Sequence, residues 1–94
     1  MSVKVISGTL LEAKATFTDG DGVEFNPATV IAYIEDSRRQ KITTDVTPTN
    51  VGTGEYVAII QSPKNYDFVY VTFEGTTGDE KYFGRSKVML PYSK

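Results

Sequence analysis

The side chains in this chain able to do chemistry are carboxylates, hydroxyls, cations and phenol rings, because it contains neither histidine nor cysteine. Those two absences remove the commonest general base and the strongest side-chain nucleophile. The serines (Ser2, Ser7, Ser37, Ser62, Ser86 and Ser93) stand in termini, turns or strand positions, and none occupies a Gly-x-Ser-x-Gly elbow. Asp79-Glu80 reads as a pair of solvated turn-tip neighbours rather than two carboxylates facing each other across a cleft. The inventory predicts no catalytic residue and no enzyme.

Asp19, Asp21 and Glu24 raise the question of a metal. Acidic residues two apart in a glycine loop supply oxygen ligands of the kind calcium takes, but an EF-hand loop needs a glutamate at its twelfth position. Counted from Asp19, that position is Val30. The expectation is therefore a turn whose aspartates accept hydrogen bonds from neighbouring amides, with no metal and no cofactor. No Gly-x-Gly-x-x-Gly or Walker pattern is present, which sets nucleotide binding aside. The one basic cluster, Arg38-Arg39 with Lys41, sits at a connecting turn. It is either a solvated corner or a contact for an acidic patch on a partner; nucleic acid is not expected, since no stacking aromatics flank it in sequence.

The elements that must carry these groups are strands. Leu11, Ala13, Ala15 and Phe17 alternate with Glu12, Lys14, Thr16 and Thr18, the period-2 pattern of a sheet with one buried face. Strand-like segments are expected over Val3–Ile6, Thr9–Thr18, Thr29–Glu35, Gln40–Val46, Glu55–Gln61, Tyr66–Glu74 and Lys81–Leu90. Turns fall at Ser7-Gly8, Asp19–Gly22, Asp36–Arg39, Ser62–Asn65 and Gly75–Asp79, and Pro91 ends the last strand. The threonine-rich fourth segment stops near Pro48 and reads as an edge. About seven short strands at this spacing, with no period of 3.6, predict an all-β antiparallel sandwich.

Alternation also divides the side chains between faces. The expected core is Leu11, Ala13, Ala15, Phe17, Val30, Ala32, Ile34, Tyr56, Ala58, Ile60, Val69, Val71, Phe73, Val88 and Leu90. That sends Ile31, Tyr33, Val57, Ile59, Phe68 and Tyr70 outward, where a solvated sheet would carry small polar or charged residues. Two explanations stay open. Loops cover part of that face, or a register differs by one residue and exchanges the two sets; alternatively, an apolar-aromatic patch docks another subunit. Ile31, Tyr33, Val57, Ile59, Tyr66, Phe68 and Tyr70 are the candidate partner-contacting residues. The segments Asp19–Phe25, Ser62–Tyr66 and Gly75–Glu80 are the candidate rim.

Ninety-four residues make one domain spanning 1–94, and 39% hydrophobic content is that of a globular chain. A net charge of −2 exerts no general pull on nucleic acid or anionic membrane. The N-terminal residues enter a strand-like alternation with no apolar h-region, so no signal peptide is expected. The longest apolar run, Val30–Ile34, is too short to span a bilayer. Without cysteine the core must hold by packing alone, which fits assembly in the cytosol.

The order of turn and strand signals resembles a family of small immunoglobulin-like structural proteins of tailed bacteriophages. The resemblance rests on Phe17-Thr18-Asp19-Gly20-Asp21-Gly22, Asn26-Pro27, Val30, Glu35-Asp36-Ser37, Gly54-Glu55-Tyr56 and Phe73-Glu74-Gly75, and runs from about residue 9 to 90. Asp36-Ser37 stands where the family usually has Pro and Gly, and Phe73 stands where tryptophan is common. The resemblance implies an immunoglobulin-like sandwich and a non-enzymatic virion component, made in the host cytoplasm. A capsid decoration (cement) protein present in many copies on the head is the first expectation, with the major capsid protein as its partner. A head–tail neck adaptor is the second. From a different class, the rival is a carbohydrate- or cell-surface-binding module stacking sugars on Tyr66, Phe68, Tyr70 and Tyr82.

Overall fold

A computed structural model describes residues 2–5, 10–63 and 66–90. It is all-β, with seven strands: β1 (Ser2–Val5), β2 (Leu10–Thr16), β3 (Thr29–Glu35), β4 (Thr49–Gly52), β5 (Glu55–Gln61), β6 (Phe68–Thr77) and β7 (Glu80–Met89). They form two antiparallel sheets, a four-stranded one in the order β1-β2-β5-β4 and a three-stranded one in the order β3-β6-β7. Lettered A to G along the chain, these are the ABED and CFG sheets of an immunoglobulin constant-type sandwich. The expected fold class is the observed one. No helix in the described residues is long and apolar enough to cross a membrane.

The core lies between the sheets, and period-2 patterning builds it. β2 turns Leu11, Ala13 and Ala15 inward, β5 turns Tyr56, Ala58 and Ile60, and β6 turns Val69, Val71 and Phe73. Alanines at Ala13, Ala32 and Ala58 leave room for Phe73, Leu11 and Ile34 to interdigitate between the layers. Phe17 meets Tyr56 edge-on, ring centroids 5.6 Å apart. Every expected core residue is buried except Val30, which is half-buried and packs against the cluster from its margin.

Three segments depart from the sequence-based expectation. Gln40–Val46 is not a strand. It runs along the free edge of β3 and touches it through isolated bridges, Glu35 with Lys41 and Ala32 with Val46. The ladder breaks between them because the Thr43 hydroxyl, not a main-chain carbonyl, accepts the Ile34 N–H at 2.9 Å. β4 forms instead just beyond Pro48, at Thr49–Gly52, with a bulge between Asn50 and Gly52. β6 continues through Gly75 to Thr77, so the following turn shrinks to Gly78-Asp79, with Gly78 at φ 59°. The expected turn at Ser7-Gly8, the strand ends at Ile6 and Thr9, Lys64-Asn65 and Pro91 lie outside the described residues.

Candidate functional site

Two turns of one design close opposite ends of the sandwich. In the first, the Asp19 carboxylate accepts from the amides of Asp21 (2.8 Å) and Val23 (3.0 Å). The Asp19 amide donates to the Val23 carbonyl, Gly22 N–H to the Asp19 carbonyl, and Gly22 sits at φ 81°. The second repeats this bond for bond. The Asp36 carboxylate accepts from Arg38 (2.8 Å) and Gln40 (3.0 Å), the Asp36 amide donates to the Gln40 carbonyl, and Arg39 N–H donates to the Asp36 carbonyl. Here the left-handed position belongs to Arg39, at φ 65°, where an L-side chain is strained and glycine is not. Both aspartates work as local caps of the backbone.

Of the residues that carry sequence signals, Phe17, Asn26, Pro27, Gly54 and Gly75 meet at the Asp19 end, while Glu35-Asp36-Ser37 lies at the other. Phe17 N–H donates to the Gly54 carbonyl at 2.8 Å, and Asn26 Oδ1 accepts from Gly54 N–H at 2.7 Å and from Asn50 Nδ2 at 3.1 Å. Gly54 holds φ 73°, and a Cβ there would come 2.7 Å from the Phe17 carbonyl oxygen. Gly75 faces the Pro27 ring and the Phe17 ring in the same way.

The candidate contact residues do not form one patch. Val57 and Ile59 belong to the outer face of the four-stranded sheet, where Val57 is half-buried and Ile59 is 46% exposed. Val51, 59% exposed, lines the same shallow depression as Val57, beside Lys14 and Ser2. Ile31, Tyr33, Phe68 and Tyr70 belong to the outer face of the other sheet, on the far side of the core. Tyr66 packs against the margin of the core rather than presenting itself outward, and Tyr82 does the same, edge-on to Phe25 at 5.0 Å. The four rings expected to form a sugar platform therefore do not share a surface.

On the three-stranded sheet the outer face mixes cations and rings with apolar side chains, Ile31 on β3 and the exposed Phe83 and Met89 on β7. Register places Tyr33, Thr72 and Arg85 side by side across β3, β6 and β7, and Glu35, Tyr70 and Lys87 in the next row. Three rings carry a cation: Arg39 lies 4.7 Å from the Tyr70 centroid, Lys41 lies 4.3 Å from Tyr33, and Lys87 lies 4.3 Å from Phe68. Tyr33, expected outward, is only 6% exposed, with Lys41 over its ring and its hydroxyl donating to Glu74 Oε1 at 3.4 Å. The Arg38–Lys41 cluster, read from sequence as lacking aromatic neighbours, has two of them once the strands pair. Burial pushes the Tyr33 phenol above its ordinary pKa, with Glu74 and Glu35 adding to the rise.

Beneath the cations lies a polar knot that periodicity did not expose. Glu35 and Thr72 are both buried. The Thr72 hydroxyl donates to Glu35 Oε1 at 2.6 Å, and Arg85 Nε–H reaches the same oxygen at 3.1 Å and Thr72 Oγ1 at 3.2 Å. Arg85 and Lys87 were legible as outward residues of β7, but pairing them with β3 across β6 required the register. The carboxylate is occupied by structural donors, and the described residues contain no group of three His, Cys, Asp or Glu able to hold a metal. Against known proteins, the chain matches no family model, no curated protein and no solved structure.

Proposed function

We propose that this chain is a non-enzymatic structural protein of a tailed-phage virion, a decoration subunit that binds the exterior of the head. The observation that carries this reading is the meeting of Phe17, Asn26, Pro27, Gly54 and Gly75 at one end of an immunoglobulin-like sandwich. Those residues carry the resemblance to the phage family, and here they act together as the joint between the two sheets. The capsid contact is the strip of Val51, Val57 and Ile59 on the four-stranded sheet, two of which stand well exposed. A small apolar strip binds weakly in one copy and firmly in a many-copy lattice.

Co-sedimentation with capsids of the source phage tests the reading. Saturable binding at high copy number, weakened by Ile59→Asp, supports it. Wild-type protein that stays in the supernatant overturns the decoration role.

A further inference from the structure

We propose that copies of this chain associate head to tail, the acidic end of one seated on the cationic outer face of the next. This inference is independent of capsid binding.

One end of the sandwich is acidic. Asp19, Asp21 and Glu24 lie in the first aspartate turn, and Asp79 and Glu80 at the tip of the β6–β7 hairpin. The two are neighbours: Ala28 N–H donates to Thr77 Oγ1 at 3.1 Å, and the Phe25 and Tyr82 rings touch. Asp21, Glu24, Asp79 and Glu80 are all exposed. Lys81, the nearby cation, leans to Glu74 at 3.7 Å.

The opposite end is cationic. β3 runs from Thr29, paired with Thr76 near the acidic tip, to Glu35 beside the second turn. That separation is about 20 Å at about 3.3 Å per strand residue. Arg39 lies over the Tyr70 ring, Lys87 over Phe68 and Lys41 over Tyr33, with Arg38 exposed in the adjoining turn. Most carboxylates at this end are engaged: Asp36 by turn amides, Glu35 by Arg85 and Thr72, Asp45 by Lys41 at 2.7 Å. Asp67 is the further exposed carboxylate among the described residues there.

Two features point to a docking use. Arg39 occupies the left-handed position that glycine fills in the matching turn, so this corner carries a cation at a position where its backbone is strained. The rings also hold the cations in place, which lowers the ordering cost of an incoming anionic surface. Those rings have a face already covered, which disfavours base stacking and favours carboxylates. The chain supplies a matching acidic surface at its own other end. A contact between unlike surfaces of identical subunits is heterologous and propagates into a ring or a filament.

Sedimentation velocity of the full chain tests this. At about 0.01 M salt, where the Debye length is about 30 Å, mass should rise with concentration; at about 1 M salt it should return to monomer. Arg39→Gln with Lys87→Gln, and separately Glu24→Gln with Asp79→Asn, should each be monomeric at low salt. Mixed together, the two variants should form a one-to-one dimer and nothing larger, since each retains one half of the contact. That complementation also shows that both are folded. A wild type that is monomeric at every salt, variants that assemble as wild type does, or a mixture that stays monomeric would each overturn the proposal.

Discussion

The hydroxyl of Thr72 donates a 2.6 Å hydrogen bond to Glu35 on the outer side of the three-stranded sheet, and neither residue is more than 7% exposed. A carboxylate sits buried on a face that faces away from the core, roofed by cations and rings. Thr72→Val keeps the shape and removes the donor, leaving the carboxylate with Arg85 alone. The expected loss is about 1–3 kcal/mol in urea denaturation. An unchanged midpoint would mean that water reaches Glu35 freely.

Gly75 lies within β6, and its constraint is space rather than φ. A Cβ there would come 2.8 Å from Pro27 Cγ and 2.9 Å from Phe17 Cε1. Gly75→Ala should therefore destabilise by about 1–3 kcal/mol, as overpacking does. Equal thermal stability of the variant would show that Pro27 and the Phe17 ring yield to the added methyl easily.

At Arg39 the usual ranking of alanine over glycine should reverse. With φ at 65°, Arg39→Gly should be more stable than Arg39→Ala by about 1 kcal/mol. Both lose the contact with Tyr70, so the comparison isolates the backbone. Paired denaturation curves decide it, and coincident curves would place the turn outside the left-handed region in solution.

Stability should fall in alkali. Burial, then Glu74 and Glu35, raise the Tyr33 pKa above the ordinary phenol value of about 10. The folded state thus holds this proton after the unfolded chain has begun to release it. The stabilisation is complete below about pH 10 and is lost as pH climbs through the folded value. Lys41, raised by its hydrogen bond to Asp45, and Tyr82, raised by its bond to Glu80, act in the same direction. Urea midpoints between about pH 8 and about pH 11 should drop for wild type and drop less for Tyr33→Phe. Parallel slopes would remove Tyr33 as a source.

How much of this was legible without the fold follows from which forces act locally. The alternation of Leu11, Ala13 and Ala15, of Tyr56, Ala58 and Ile60, and of Val69, Val71 and Phe73 encodes which side of each strand meets the core. Because a strand's side-chain period is two whatever its neighbours are, that alternation determined the sandwich and nearly all of its interior. Asp19, two residues before Asp21 and three before Gly22, likewise dictated its own turn, since every bond in it spans at most four residues.

Tertiary structure decided everything that depends on which strand lies beside which. The outward residues Val57 and Tyr33 look alike in the chain, yet β5 and β3 enter different sheets, so they face opposite directions across the core. Thr43 looks like a strand residue and instead interrupts one, because the Ile34 amide it satisfies is supplied by another segment. Glu35, Thr72 and Arg85 are thirteen or more residues apart, and their knot exists only through the register of β3, β6 and β7. Alternation selects a face; pairing, which sets the neighbours on that face, is a long-range choice made by the packing of the whole chain.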